Sequence, residues 1–284
     1  MTSWFQTSAA QQLFDRHIYV AGTGCSCLGN VQGWGPSKRL IIQGGPAVLT
    51  PLDMPLTADN VLAMMHQLRA EAQRQRCVYA EIRCFDDYSP LREVFEQAGF
   101  AYRPHYDIII SLTQSLTMHE SKQRAIRKAL ADGQTWRTAT CTGDIHAFYR
   151  LLSRLYRTKV HRPIPNEAFF IRAWEQGVPV LVTEQPSAQG PRITGGVLMP
   201  VLDTTAYEWY ICGGVMSTWA MIEYGRQHQL THIDMMGAGS PGQPYGVRDF
   251  KCQMGGELHE WGRYICILQP RLYHLGEMLI TKPT

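Results

Sequence analysis

The residues best placed to do chemistry lie where a strand-like run ends. Ile233-Asp234-Met235-Met236 leads into Gly237-Ala238-Gly239, and the loop runs on to Tyr245-Gly246-Val247-Arg248-Asp249-Phe250-Lys251. A strand end opening into a glycine-rich loop is where α/β sheets commonly hold ligands. Glycine lets backbone donors come close to a ligand, and a lysine there can stabilise a developing oxyanion or a phosphate. The plain alternative makes Asp234 a loop cap and Lys251 a surface residue. The residues alone leave both readings open.

Two basic clusters add to this. In Lys122-Gln123-Arg124-Ala125-Ile126-Arg127-Lys128, helical spacing makes Arg124, Arg127 and Lys128 one cationic face. Arginine's fork geometry suits phosphate, although a solvated helix face accounts for the same charge run. Tyr156-Arg157-Thr158-Lys159-Val160-His161-Arg162-Pro163 closes a second helix and leads to Asn166 and Phe169-Phe170. Cations near a helix C-terminus are favoured by the macrodipole, so a substrate-gripping role for Arg157 or Arg162 competes with a helical one. His161 has no evident partner.

Composition narrows the class. A chain of 284 residues holds one large or two modest domains. With 45% hydrophobic and 18% charged residues it reads as folded rather than disordered. The formal charge of +3 is too small by itself to imply a nucleic-acid binder, and no DNA partner is expected. No apolar run reaches the roughly 18 residues of a spanning helix. Met1 to Gln12 lacks the basic flank and apolar stretch of a signal peptide, so a cytoplasmic location is expected. Eight cysteines include Cys25-x-Cys27 but no two CxxC pairs. They read as reduced thiols, and no metal is expected.

The elements that must position these residues alternate. Residues 38–50 read as a strand over Lys38–Ile42 broken by Gln43-Gly44-Gly45-Pro46. Val61, Met64, Met65, Leu68 and Ala72 predict a helix over 59–75. A strand over 77–85 follows, then a short helix with Ser89 as cap, Pro90 in its first turn and Gly99 past its end. Tyr106–Leu112 reads as the next strand. Such alternation argues for a mixed α/β layer domain. A second series opens at Thr117-Met118-His119-Glu120, read as a capping box for a basic helix that Gly133 closes. It continues as a strand (135–140), helices (144–159 and 166–176), and strands (178–184, 192–202 and 206–213), the last two joined by a turn at Asp203-Thr204-Thr205. A helix (216–229), a strand (230–236) and the loop 237–247 complete it.

At these residues the chain resembles the Fem-type peptidyl and aminoacyl transferases, which add amino acids to peptidoglycan precursors. Arg124-Ala125-Ile126-Arg127-Lys128-Ala129 is similar to the family's basic helix opening the second domain. Asp234-Met235-Met236-Gly237-Ala238 resembles its D-x-x-G-a strand end. Tyr245–Lys251, with Met254-Gly255-Gly256 after it, resembles its G-v-x-x-F-K-x-x-F-G segment. Gly44-Gly45-Pro46 and Ala98-Gly99-Phe100 are similar to weaker marks of the first domain.

The resemblance implies an α/β fold with mixed sheets, two N-acetyltransferase-like domains in tandem. The first, degenerate domain would span 1–115 and the second 116–284, with the extreme C-terminus returning to the first. It implies an acyltransferase of bacterial cell-wall synthesis that forms an amide on an amine acceptor, a small molecule or a muropeptide. The donor would be aminoacyl-tRNA or acyl-CoA, with no bound cofactor, and tRNA would be a partner. A transient contact with the inner membrane face is expected. Lys251, next to Phe250, would stabilise the acyl-transfer intermediate, Asp234 or Asp249 would hold the loop, and Asp234 is counted with the catalytic residues. Substrate contacts fall to Arg124, Arg127, Lys128, Arg157, Arg162, Tyr210, Gly237 and Tyr245. Lys251→Met is expected to abolish transfer and spare folding.

Two departures bear on the donor. No long helical hairpin separates the domains, so the tRNA-binding arm of some members is missing. Cys212-Gly213-Gly214-Val215-Met216-Ser217 is a poor version of the Q/R-x-x-G-x-G/A pyrophosphate loop of CoA-dependent relatives, which counts against acetyl-CoA. The alternatives are a CoA-dependent N-acyltransferase on the same fold and a non-catalytic binder of cell-wall precursors.

Overall fold

A one-turn helix over Trp4–Gln6 and α1 (Ser8–Leu13) begin the chain in the computed structural model, which describes residues 3–48 and 57–280. Part of the strand reading over 38–50 lies outside the described residues. The antiparallel hairpin of β1 (His17–Gly22) and β2 (Cys25–Gln32) follows. Then come β3 (Arg39–Gln43), β4 (Ala47–Val48) and α2 (Ala58–Arg74). Thr57 starts α2 by accepting the Asn60 N–H, and the stripe Val61, Met64, Met65, Leu68 and Ala72 is buried as its spacing requires. β5 (Tyr79–Arg83) runs parallel to β3. Pro90 opens a 3-10 turn, Ser89–Leu91, rather than the α-helix itself, α3 (Arg92–Gln97). β6 (Ala101–Arg103) follows.

The next stretch holds β7 (Asp107–Ser111), α4 (Glu120–Ala131), β8 (Thr135–Thr138), α5 (Thr142–Leu155) and a π-turn, Tyr156–Val160. The cap of α4 is His119, whose ring nitrogen accepts the Ser121 N–H, and not Thr117. Then come α6 (Glu167–Glu175), β9 (Val180–Gln185), β10 (Arg192–Leu198), β11 (Val201–Leu202), β12 (Thr205–Tyr207) and β13 (Tyr210–Cys212). α7 (Val215–Gln227), β14 (His232–Gly237), α8 (Gly246–Gln253) and β15 (Glu257–His259) follow, and β16 (Arg263–Ile267) and α9 (Pro270–Ile280) end the chain.

Two compact units result: Met1–Tyr106 with Glu260–Thr284, and Asp107–His259. The first carries the sheet β1-β2-β3-β5-β16-β6, with β4 on β2. β16 is antiparallel to both β5 and β6, and Tyr264 faces Ile82 on one side and Tyr102 on the other. Tyr264, Phe95, Ile82, Leu68 and Met65 share one apolar core.

The second unit has two sheets, β13-β10-β9-β8 and β11-β12-β14-β7-β15. β7, placed with the first domain on sequence, pairs antiparallel with β14 and β15 and buries Ile108 and Ile110. The division therefore falls between Tyr106 and Asp107 rather than after residue 115. Val180 to Thr183 of β9 are all buried, as in a strand covered on both faces; α5 and α7 pack on this sheet.

Candidate functional site

The site arises because one run of chain serves two sheets. Tyr207 at the end of β12 pairs in parallel with Asp234 of β14, and the Glu208 N–H donates to the Asp234 carbonyl at 2.8 Å. Two residues on, Tyr210 pairs antiparallel with Leu198 of β10. β13 thus leaves with β10 while β14 stays with β7, and the strands part at Glu208.

The strand end beyond Asp234 is bent. Its pairing with β7 shifts register between Asp234 and Gly237, and Met236 has φ 59°, a left-handed conformation unusual for a side chain of its size. Two contacts hold the bend. Asp234 Oδ1 accepts the Met236 N–H at 2.6 Å. Lys251, arriving from α8, donates through Nζ to the carbonyl of Met235 and approaches those of Met236 and Gly237 at 3.5 Å each. Nζ also lies 3.2 Å from Glu208 Oε1, and both side chains are almost fully buried.

Lys251 is therefore no surface residue. Its ammonium has three donors. One serves Met235, one serves Glu208, and the third is shared between two carbonyls at the outer limit of hydrogen bonding. That third proton has the weakest partners of the three. Burial drives the Glu208 carboxyl above the usual carboxylate range, opposed by Lys251. Burial likewise raises Asp234; the Met236 amide and Lys251 oppose it, and Glu208 reinforces it.

Tyr156 reaches the same place from the π-turn that ends α5. Its ring centroid lies 6.3 Å from that of Tyr210. Burial raises its hydroxyl pKa, Arg162 lowers it, and Glu208, Tyr245 and Cys212 raise it further. The phenol thus feels the charges of both Arg162 and Glu208. Behind it, Phe170 and Trp209 stand 5.2 and 5.4 Å from Tyr210, giving the site an aromatic wall. The loop before α8 is folded by Arg248, which donates to the carbonyls of Ser240 and Gln243. Gly239, at φ +81°, sits where a Cβ would come 3.0 Å from Tyr245 Cδ1.

Of the residues singled out on sequence, Asp234, Gly237 and Lys251 share the bent end of β14, Asp234 through the Met236 amide and Lys251 through the carbonyls of Met235, Met236 and Gly237. Tyr210 lies near the Tyr156 ring, whose hydroxyl also feels the charges of Arg162 and Tyr245. Phe250 lies under Lys122, whose Nζ is 4.8 Å from the ring, while the His119 N–H donates to the Gln253 carbonyl; these contacts tie α8 to the start of α4. Arg124, Arg127 and Lys128 are exposed on α4, and Arg157 is exposed on the π-turn. Gly213 serves close packing: its Cα lies 2.6 Å from where a Cβ on Gly195 would stand. Sequence reasoning missed Glu208 and Tyr156. The available signal was a lone acid between aromatics in Tyr207-Glu208-Trp209-Tyr210. Among the described residues no cluster of His, Cys, Asp and Glu could hold a metal ion.

No protein-family model matches the chain, and no curated protein does. Solved structures do. FemX is 11% identical over 96% of this chain and 94% of its own, with a TM-score of 0.67. The fold is that of FemX. L-PGS from Bacillus licheniformis is 13% identical, covering 93% of this chain and 88% of its own at a TM-score of 0.62. A tandem GNAT protein from the clavulanic acid biosynthesis pathway is 11% identical over 86% and 79%, at 0.54. Identities this low concern the fold alone. The tandem N-acetyltransferase-like architecture that the Fem-type motifs imply is the architecture found.

Proposed function

We propose that the unit Asp107–His259 is an acyltransferase forming an amide bond, with aminoacyl-tRNA as donor and a cell-wall peptide precursor as amine acceptor. The observation that carries the reading is the buried ammonium of Lys251 on the bent end of β14, at the point where two strands part. An amine attacking an activated ester drives negative charge onto the carbonyl oxygen, and a cation fixed beforehand lowers that barrier without reorganising. Orientation by the aromatic wall supplies the rest, so a nucleophilic residue is not required. Arg162, whose charge acts on Tyr156, would take an anionic part of a substrate; Arg124, Arg127 and Lys128 offer a separate exposed cationic face for phosphates. The donor assignment rests on the Fem-type motifs and on the poor pyrophosphate loop at Cys212–Ser217.

Ligand stabilisation grows with affinity and concentration. Melting temperatures measured with nucleotide-linked muropeptides, aminoacyl-tRNA mimics and acyl-CoAs should rise with the first two. A rise with acyl-CoA alone would replace aminoacyl-tRNA by a thioester donor, and no rise with any would remove the reading.

A further inference from the structure

Glu208 is the charged group of this centre that no motif marks. Its backbone is fixed by the N–H donated to Asp234 and by the switch from β14 to β10. Lys251 is its side-chain partner, through one oxygen. An ionised carboxylate offers two oxygens and about four acceptor sites, so acceptor capacity remains. Lys251 from α8 faces it at 3.2 Å, and the Glu208 charge also acts on Asp234 of β14 and on Tyr156 at the end of α5, whose phenol feels Arg162, Tyr245 and Cys212 as well. Asp234 is the poorer acceptor, since one of its oxygens is committed to the Met236 amide.

We infer that Glu208 is the catalytic base of the proposed transfer, an inference that rests on that reading. The lone pair of the neutral acceptor amine forms a bond to the acyl carbon, whose carbonyl oxygen gains negative charge beside Lys251. The nitrogen's surplus proton passes to Glu208. The intermediate then collapses, and the bond to the leaving oxygen or sulfur breaks. That atom departs with the electron pair and takes the proton back from Glu208. One amine and one ester or thioester become one amide and one alcohol or thiol, with no proton left over. Burial pulls this carboxyl upward while Lys251 pulls it down, and a base is most effective when its pKa lies near the working pH.

A purely structural Glu208 would only neutralise Lys251, and glutamine separates the two roles, because it accepts a hydrogen bond from Lys251 but cannot take a proton. Wild type, Glu208→Gln and Glu208→Asp are compared for transfer of label from alanyl-tRNA and from acetyl-CoA to a nucleotide-linked muropeptide across pH, with melting curves alongside. Glu208→Gln should melt lower than wild type, because the Lys251 charge loses its counter-charge, yet keep KM, lower kcat by roughly 10²–10⁴-fold, and lose the acid limb of the kcat profile, with Asp restoring part of the rate. An unchanged kcat and acid limb in Glu208→Gln overturns the base and leaves the transferase reading standing. A wild type silent with both donors overturns that reading and the base with it. If Glu208→Gln does not fold, the Asp variant decides: a displaced acid limb supports the inference, and an unmoved one overturns it.

Discussion

Lys251 shows what burial adds to a motif. On sequence it stands beside Phe250 at the end of a glycine-rich loop, and its replacement is expected to spare folding. In the structure it neutralises Glu208 in a buried place, and removing one partner of a buried pair typically costs about 3–5 kcal/mol. Lys251→Met should therefore lower stability to chemical denaturant as well as activity. In Lys251→Met/Glu208→Met no charge is stranded, so most of the stability should return while transfer stays lost. Equal stability of the single variant and wild type would show that the ion pair is not buried as described. Asp234 was legible because its role is local: it binds an amide two residues on. Glu208 was not, because its meaning depends on two strands, β14 beginning 24 residues later and β10 ending 10 residues earlier, that draw the chain apart at its position.

Elements whose stability comes from their own spacing were read well. The stripe of α2 and the positions of β3 and β5 follow from apolar periodicity alone. The π-turn after α5 was read as continuing helix, because Tyr156–Lys159 has no breaker. The chain leaves it only at His161, in the left-handed region at φ 55°. α8 was read as loop because its glycine and exposed face mask the period. The start of α5 depends on Asp144, which accepts the Thr140 N–H and pairs with Arg137, itself bound to Glu184 of β9. The hydrogen bond from Arg137 chiefly, against the opposing effect of burial and with the Thr140 amide assisting, holds Asp144 down at about 2. A carboxyl depressed in the folded state stabilises above its unfolded pKa, about 3.9, and that contribution is lost as pH falls toward 2. Asp144→Asn should melt lower than wild type at neutral pH, and the gap should close between about pH 4 and pH 2. A gap independent of pH would assign the effect to packing.

At the scale of the molecule, tandem α/β organisation was readable from alternating elements and from the Fem-type motifs, and the solved structures with this fold agree. The return of the C-terminal strand was implied by the resemblance; the structure inserts β16 between β5 and β6, which no local pattern announces. Such a strand is specified by partners about 180 residues away in sequence rather than by its own residues. The N-terminal hairpin of β1 and β2 likewise escaped the sequence reading. Among the described residues no helix is long and apolar enough to cross a membrane. The central claim is that the second unit transfers an acyl group at Lys251. Its most direct test is the transfer of label from aminoacyl-tRNA to a nucleotide-linked muropeptide, by wild type and by Lys251→Met/Glu208→Met at equal folded concentration. Labelled amide product from wild type, and a rate lower by at least roughly 10²-fold from the double variant, is the predicted result. Equal rates from the two proteins, or no product from wild type, would contradict it.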